Sequence, residues 1–148
     1  MKLKKIPFKE FVEIYHKVPR ATIDVIVVSK KGFLLTKRAI PPFKGMWHIP
    51  GGTILFMEPI KNAINRIIKE ELGVKLKDIK HLGIIEYFND EGRHSISSCY
   101  LAKIKNGKPR GSKQGKKINF FKKVPQKLIP EQKTFINKHL QTIKDCLL

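Results

Sequence analysis

The most informative segment of the chain runs from Gly51 to Val74 and reads GGTILFMEPIKNAINRIIKEELGV. A glycine pair opens it, and two adjacent acidic residues stand close to its end. Pro59 suits the first turn of a helix, and Gly73 suits the position just after its last turn. We therefore predict a helix over Glu58–Leu72, directly behind a glycine turn.

This predicted helix carries acidic residues on one face. A glycine pair lets the backbone approach a ligand closely and turn a carbonyl toward a cation. Positions 67, 70 and 71 share a face, and three carboxylates there would form an oxygen site suited to Mg²⁺. The chain supplies two, Glu70 and Glu71, because position 67 is Ile67. Glu58 and Arg66 are expected to pair across the glycine loop, and Arg66 is also spaced to pair with Glu70.

The remaining segments predict a mixture of strands and helices, with no internal repeat and no linker. The predicted elements are a short N-terminal helix at 8–17, strands at 21–29, 32–38, 82–88, 96–104 and 118–121, a short extended piece at 47–55, and an amphipathic helix from Pro130 to about Leu147. We predict a single α+β domain over residues 1–148.

The composition indicates a globular protein with a large excess of positive charge. Its 148 residues suit one domain, and 41% hydrophobic residues are enough for a core. The formal net charge of +19 invites polyanions such as nucleic acid. The basic run at 103–123, however, has little of the aromatic interleaving that single-strand binders use. Nucleic acid is therefore admitted as a partner but not favoured over a solvated lysine surface.

Other sequence features bear on where the protein resides. No run of about twenty apolar residues occurs, so no membrane span is predicted. The N-terminus is basic, but its apolar residues are too interrupted for a secretory signal. Cys99 and Cys146 lie far apart without CxxC spacing, which excludes a zinc motif and a disulfide framework. We expect a cytoplasmic protein with free thiols and no membrane partner.

The glycine–carboxylate stretch resembles the Nudix box, which is a glycine, five residues, a glutamate, seven residues, and then Arg-Glu-apolar-x-Glu-Glu-x-Gly-apolar. The matching positions over 52–74 are Gly52, Glu58, Arg66, Ile68, Glu70, Glu71, Gly73 and Val74. With the preceding WHIPGG and hairpin, the resemblance covers about two-thirds of the chain. It implies the Nudix α/β/α sandwich with a mixed central sheet. It also implies hydrolysis of a nucleoside diphosphate linked to another group.

The same resemblance implies a divalent cation, Mg²⁺ or Mn²⁺, held by the carbonyl of Gly51 and by Glu70 and Glu71. In most Nudix enzymes the glutamate after the box arginine also binds metal and often helps to activate water. Ile67 does neither. Three outcomes follow from this departure: lost catalysis, a one-metal mechanism, or a base taken from elsewhere in the chain.

One branch of the family, the GDP-mannose mannosyl hydrolases, is closest in pattern. Its members also have an apolar residue after the box arginine, and they attack the anomeric carbon of the sugar. They begin, like this chain, with a short helix, a proline, a strand carrying aspartate, and a hairpin that ends in Lys-Arg. The resemblance implies substrate contacts by Asp24, Arg38 and Tyr100, leaving-group stabilisation by Arg66, and metal ligation by Glu71 and Gln114.

Two departures from this branch leave alternatives open. Gly115 stands where the branch has a histidine base, and Thr53 stands where it has an arginine. The first hypothesis is a metal-dependent hydrolase of a nucleotide sugar such as GDP-mannose. The second is a Nudix pyrophosphatase that acts on nucleotides or ADP-ribose by attack at phosphorus. The third is a catalytically weakened nucleotide- or RNA-binding protein. The resemblance is also compatible with a homodimer formed through the N-terminal helix.

Four further residues have both a structural and a functional interpretation. Asp24 lies within an apolar strand, where a carboxylate is costly unless partnered, and we expect Arg38 in the adjacent strand as its partner. His94 is interpreted as a surface loop histidine rather than a base over the site. His48 is expected to pack or bond to the backbone, and Trp47 to fill the core rather than stack on a base.

Overall fold

The computed structural model describes residues 3–147 of the chain. Its helices are α1 (Phe8–Tyr15), α2 (Ile60–Leu72), α3 (Pro130–Lys138) and α4 (Leu140–Asp145). Its strands are β1 (Arg20–Ser29), β2 (Gly32–Lys37), β3 (Trp47–His48), β4 (Gly51–Thr53), β5 (Lys75–Asp90), β6 (Arg93–Asn106) and β7 (Lys117–Phe121).

Strand β1 lies at the centre of a mixed sheet. Its run of β-branched residues suits a strand that is buried on both faces. It pairs in parallel with β6, from Arg20 opposite Ser95 to Val28 opposite Lys103. Its other side pairs antiparallel with β4 in its first half and with β2 in its second. The remaining neighbours are β5 beside β6, and β3 and β7 beside β2.

Helices cover both faces of this sheet, which confirms the predicted α+β sandwich. Because successive strand residues point to opposite faces, β1 contributes to two separate cores. Ile26 and Val28 pack toward α3 and α4, whereas Ile23, Val25 and Val27 pack toward α2.

Helix α2 forms where the sequence predicts it. Its buried positions are Ala63, Ile64, Ile67, Ile68 and Leu72, one stripe along the helix. Pro59 occupies the N-cap position, and Gly73 ends the helix with φ of 70°, a left-handed conformation that glycine adopts without steric cost. The stripe holds α2 on the sheet, so its opposite face, with Glu70, is left exposed.

The predicted bounds of several elements differ from the structure; β6, for example, spans Arg93–Asn106 rather than 96–104. Strand β5 begins at Lys75 rather than at residue 82, and its pairing with β6 is interrupted by four register shifts. The C-terminal helix is broken at His139, where φ is −105° and ψ is 12°. Helix α1 ends at Tyr15 instead of residue 17. Within residues 3–147, no helix combines the length and apolar character that crossing a membrane requires.

Candidate active site

A cavity of about 740 Å³ opens at the end of the sheet where β1 begins. The glycine turn of β4 and the acidic end of α2 form one wall of this cavity. Helix α1 and the ends of β5 and β6 form another. The residues predicted to bind metal or substrate or to act in catalysis line it with the exception of Tyr100; they are Asp24, Arg38, Gly51, Arg66, Glu70, Glu71 and Gln114.

Glu70 and Glu71 stand side by side in this cavity with different surroundings. Glu71 accepts a hydrogen bond from the Ser112 hydroxyl at 3.1 Å. Burial raises the pKa of Glu71, and the neighbouring charge of Glu70 acts in the same direction. Glu70 is more exposed and lies 3.1 Å from the Lys5 ammonium and 3.4 Å from Arg66. Two adjacent carboxylates, one of them poorly solvated, are an arrangement that a cation stabilises.

The carbonyl of Gly51 is free of the β1–β4 ladder. The Val25 N–H donates to Pro50 and the Ile54 N–H to the carbonyl of Ala21, and hydrogen-bonded pairs alternate with unbonded ones in such a ladder. Gly51, opposite Asp24, is therefore an unbonded position. The carbonyl of Thr53, two residues on, points the same way and accepts from Arg66 on α2. The Gly51 carbonyl thus faces the side of β4 on which α2 lies.

Gly51 also has to be a glycine for a steric reason. A Cβ atom at this position would collide with the Oδ1 atom of Asp24 and with the carbonyl of Ile23. The Asp24 carboxyl and the β4 backbone are consequently in close contact. The absence of a side chain at Gly51 is what allows this carboxyl to lie beside the glycine turn.

The donors around Glu71 fit a hard divalent cation. Carboxylate, backbone carbonyl and amide oxygens, from Glu71, Glu70, Gly51 and Gln114, are the ligand types that Mg²⁺ and Mn²⁺ accept. Over residues 3–147 there is no group of three or more His, Cys, Asp or Glu side chains placed to hold a metal. An ion here would complete its shell with water and substrate phosphates, as Mg²⁺ commonly does.

Arg66 and Glu58 form the clamp that the sequence predicts. Arg66 Nε donates to Glu58 Oε2 at 2.7 Å, and Nη2 donates to Glu58 Oε1 at 2.9 Å. Nη2 also donates to the Thr53 carbonyl at 2.8 Å. Glu58 in turn accepts from the Leu55 N–H. Arg66 therefore ties the glycine turn to α2. Nη1 donates to Glu70 at 3.4 Å and keeps a second N–H. Because Arg66 also lines the cavity, the leaving-group contact that the resemblance implies for it stays a prediction beside this positioning role.

Asp24 has partners other than the predicted Arg38. Tyr87 donates its hydroxyl to Asp24 Oδ2 at 2.9 Å, and Gln132 donates to the Tyr87 hydroxyl at 3.0 Å. The Ile49 N–H completes this chain by donating to Gln132 at 2.7 Å. Burial raises the pKa of Asp24 to about 6, although nearby hydroxyls act in the opposite direction. The prediction of a partnered carboxylate is confirmed, but the predicted partner is wrong.

Arg38 instead holds the loop that follows β2. Its Nε donates to the Pro42 carbonyl at 2.6 Å and its Nη2 to the Pro41 carbonyl at 3.3 Å. No bond to its Nη1 occurs within residues 3–147, so this end of the guanidinium is available to a ligand in the cavity. Gln114 is fixed through its backbone, since its carbonyl accepts from the Ala39 N–H at 2.8 Å.

The structure does not bring Tyr100 to the cavity. Tyr100 lies opposite Val25 in the β1–β6 ladder, whereas Asp24 lies opposite Cys99. Because neighbouring strand residues face opposite sides, Tyr100 points to the α2 side of the sheet. There it packs with the core and against the His81 ring at 5.1 Å. Its predicted substrate contact is therefore not supported.

The remaining predicted side chains have structural roles. His48 is buried between the Thr36 hydroxyl, 2.7 Å from Nε2, and the Ile49 carbonyl, 2.9 Å from Nδ1. Burial lowers the pKa of His48 to about 4, so the ring is neutral. His94 stacks on Phe88 outside the main cavity. Trp47 packs against Phe121 at the edge of the core.

Several cavity residues were not identified from the sequence. Arg20 donates to Asp90, Thr53 and Ser95 in the cavity wall. Arg20 and Arg93 each lie 5.6 Å from the centre of the Phe11 ring, and they hold α1 in place. Neither arginine belongs to a recognisable spacing pattern. The partners of Arg20 and the Phe11 ring lie far from these arginines along the chain, and although Arg93 also lies 3.4 Å from the carboxylate of nearby Glu91, such a local charge pair does not by itself indicate a cavity.

Comparison with known proteins settles the family. Residues 18–144 match the model of the NUDIX domain. The chain belongs to the Nudix family. Over 120 residues it is 31% identical to the ADP-ribose pyrophosphatase of Methanocaldococcus jannaschii, which covers 80% of this chain and 70% of that protein. Over 103 residues it is 31% identical to the low-salt glycan biosynthesis protein Agl8 of Haloferax volcanii. That match covers 65% of this chain and 66% of Agl8, so the chain spans just under two thirds of the length of this relative.

A solved structure agrees with this assignment. The MutT NUDIX hydrolase from Burkholderia pseudomallei superposes with a TM-score of 0.75 at 29% identity, covering 81% of this chain and 97% of that chain. The predicted Nudix fold and the prediction of a hydrolase are thereby confirmed.

The departure of this chain from the Nudix box has a clear structural counterpart. Ile67 is 2% exposed and belongs to the core beneath α2. A Cβ atom added at Gly52 would lie 3.2 Å from the Ile67 side chain. The position that carries a glutamate in most Nudix enzymes is therefore filled by an apolar side chain packed under the glycine turn. Ile67 also forms part of the cavity wall.

Proposed function

We propose that this Nudix protein hydrolyses a nucleoside diphosphate derivative in a divalent-cation-dependent reaction, and that its substrate is a nucleotide sugar such as GDP-mannose. The observation that carries the proposal is the single cavity in which Glu70, Glu71 and the Gly51 turn face Asp24 and Arg38. A cation site and groups able to hold a nucleotide are thus within one volume of about 740 Å³.

The similar proteins support the class of substrate at two levels. One is an ADP-ribose pyrophosphatase, and ADP-ribose is a nucleoside diphosphate joined to a sugar. The other is a glycan biosynthesis protein, and the synthesis of glycans consumes nucleotide sugars. The choice of GDP-mannose rests on the sequence pattern around Asp24, Arg38 and Ile67.

Each residue is assigned a role in this proposal. The cation, when bound, neutralises the diphosphate and makes it a better leaving group. Glu71 and Glu70, with the Gly51 carbonyl, hold that cation, and Gln114 adds an amide oxygen. The free Nη1 of Arg38 binds a phosphate or nucleotide oxygen. Arg66 and Glu58 are positioning residues that fix the glycine turn and α2 relative to each other.

A substrate panel tests the proposal directly. The protein is incubated with GDP-mannose, GDP-glucose, ADP-ribose and nucleoside triphosphates in the presence of Mg²⁺ or Mn²⁺, and products are separated by chromatography. We expect turnover of a nucleotide sugar that stops when EDTA is added. Lack of turnover on every member of the panel would contradict the proposal.

The second candidate is a pyrophosphatase that attacks phosphorus, which the similarity to the ADP-ribose pyrophosphatase favours. Hydrolysis in ¹⁸O-water separates the two reactions. Label in the released sugar, together with an intact nucleoside diphosphate, indicates attack at carbon. Label in a phosphate, together with a nucleoside monophosphate and a sugar phosphate, indicates attack at phosphorus.

A further inference from the structure

The end of the sheet opposite the cavity carries a concentration of lysines. At this end β1 turns into β2, β6 ends, β5 begins, and β7 leaves the sheet beside the start of β2. We call it the lysine end and define it by Lys30, Lys31, Lys75, Lys77, Lys80, Lys103, Lys105, Lys122 and Lys123. Eight of these nine side chains are exposed, and Lys103 is half-buried.

Acidic residues are almost absent from the same region. Among the segments that form the lysine end, Asp78 is the only acid. Six of the twelve acids in the chain instead line the cavity, namely Asp24, Glu70, Glu71, Asp90, Glu91 and Glu131. None of the nine lysines takes part in an ion pair anywhere in residues 3–147. Six lysines and arginines line the cavity beside these acids, so charges of both signs meet there, whereas the positive charge of the lysine end is not neutralised by neighbours.

The acids of the cavity are too far away to neutralise the lysine end. The β1–β6 ladder runs from Arg20–Ser95 at the cavity to Val28–Lys103 at the lysine end. Eight steps of strand at about 3.3 Å span roughly 26 Å. This length is more than twice the screening length of about 8 Å at physiological salt.

Lys77 and Lys103 show that the arrangement is not optimised for the free protein. They stand directly opposite each other in the β5–β6 ladder, and like charges at such positions destabilise a sheet. A bound polyanion would remove this repulsion. The lysines extend over the five strands β7, β2, β1, β6 and β5, a band roughly 19 Å wide at about 4.8 Å per strand spacing.

We propose that the lysine end binds the phosphate backbone of a nucleic acid, without sequence preference. Backbone binding needs cations spread over such a width and little else. Membrane docking normally adds large apolar side chains beside the basic ones. The lysine end carries one exposed large apolar side chain within residues 3–147, Ile79, at 36% exposure. The most exposed ones, Phe8, Phe56 and Phe88, lie elsewhere; Phe8 and Phe56 line the cavity. The duplex form is favoured over single strands because the lysine end lacks the exposed aromatic platforms of single-strand binders.

The test compares two variants of equal net charge. The first replaces Lys77, Lys103, Lys105 and Lys122 by glutamine. The second, a matched control, replaces the exposed lysines Lys9, Lys61, Lys69 and Lys138, which lie outside the lysine end. Fluorescence anisotropy with a labelled RNA duplex is measured over a series of salt concentrations. Nucleotide hydrolysis is measured in parallel and is expected to be unchanged in the first variant.

We expect the first variant to bind RNA at least about tenfold more weakly, and its slope of log K against log salt to fall by about one per lysine removed. The control is expected to keep most of the affinity and the slope. Equal loss in both variants, no loss in either, or tighter binding to phosphatidylserine-containing vesicles than to RNA would each overturn the proposal. These outcomes do not depend on hydrolysis, so they are distinct from a failure of the proposed enzymatic function.

Discussion

At the scale of the residue, the candidate site is built around Glu71, a partly buried carboxylate. Burial and the adjacent charge of Glu70 both raise the pKa of Glu71. Glu71 accepts a hydrogen bond from the Ser112 hydroxyl at 3.1 Å. A divalent cation would favour the ionised form of both acids at once. The same physical reasoning predicts which single substitutions matter.

Replacing Glu71 by glutamine is expected to abolish most of the activity without unfolding the protein. The amide keeps the size and can still accept from Ser112, but it removes the charge that holds the cation. Because such a cation contributes several kcal/mol of charge stabilisation, we expect kcat/KM to fall by roughly a hundredfold or more. Steady-state kinetics on the best substrate of the panel measure this. Glu86→Gln, at an exposed site outside the cavity, is the control, and a comparable loss there would contradict the assignment.

Replacing Ile67 by glutamate is expected to destabilise the protein and to make its stability depend on metal. The new carboxylate would replace a buried methyl group under Gly52, and burying an unpaired charge costs several kcal/mol in practice. Since Ile67 also lines the cavity, Mg²⁺ should recover part of that loss. Thermal denaturation with and without Mg²⁺ measures both effects, with Ile67→Gln as an uncharged comparison. A variant as stable as the parent in EDTA would contradict this account.

His48 is expected to make stability fall as the pH decreases from about 6.5 toward 4. The folded state lowers its pKa from 6.5 to about 4, so between these values the unfolded chain binds more protons than the folded one. The stabilisation is fully present above pH 6.5. Because a change of one in pKa corresponds to about 1.4 kcal/mol, its loss near pH 4 is on the order of 3 kcal/mol.

Urea denaturation at several pH values, compared between the parent and His48→Gln, isolates this contribution. The difference between the two proteins removes the effect of every other titrating group, including Asp24. We expect the free energy of unfolding of the variant to depend less steeply on pH across this window. Identical slopes for the two proteins would show that folding does not lower the pKa of His48.

At the scale of the element, the sequence was most informative where periodicity is regular. Helix α2 follows from its apolar stripe and its terminal Gly73. Strand β1 follows from its run of β-branched residues, whereas its parallel pairing with β6 was not predicted. Strand β5 was underestimated because four register shifts interrupt its alternation, and the break at His139 has no glycine or proline to announce it. The acids of the site were predictable from spacing along one helix, whereas Tyr87 and Gln132 reach Asp24 from distant elements.

The clamp between Arg66 and Glu58 joins the glycine turn to α2, so its removal should affect both elements. The Glu58 side chain is only 1% exposed. Arg66→Ala would leave that carboxylate buried and unpaired, a change that typically costs about 3–5 kcal/mol. Arg66→Lys should recover only part of this, because lysine cannot reproduce the forked contact with Glu58 and Thr53. Equilibrium denaturation measures the stabilities, and a loss below about 1 kcal/mol in Arg66→Ala would contradict the role of the clamp.

At the scale of the whole molecule, charge is distributed unevenly. Half of the acids line the cavity that is proposed to hold a cation, together with six lysines and arginines, whereas the lysine end has no ion pair within residues 3–147. Repulsion within the net charge of +19 therefore opposes folding where lysines lie close together, as Lys77 and Lys103 do across β5 and β6. Self-repulsion of this kind destabilises a compact state and is weakened by salt.

We therefore expect the melting temperature to rise with salt. Between about 20 and 300 mM NaCl the Debye length shortens from roughly 20 Å to under 6 Å, which screens the repulsion among the lysines. For a chain of this size, about 1 kcal/mol corresponds to roughly 2–4 °C, so a rise of a few degrees is expected. The variant that lacks Lys77, Lys103, Lys105 and Lys122 should melt higher at low salt and respond less to added NaCl. Screening weakens attraction as well as repulsion, and only the loss of attraction lowers the melting temperature. A melting temperature that falls as salt is added would therefore mean that ion pairs, rather than repulsion, dominate the electrostatics of the folded state.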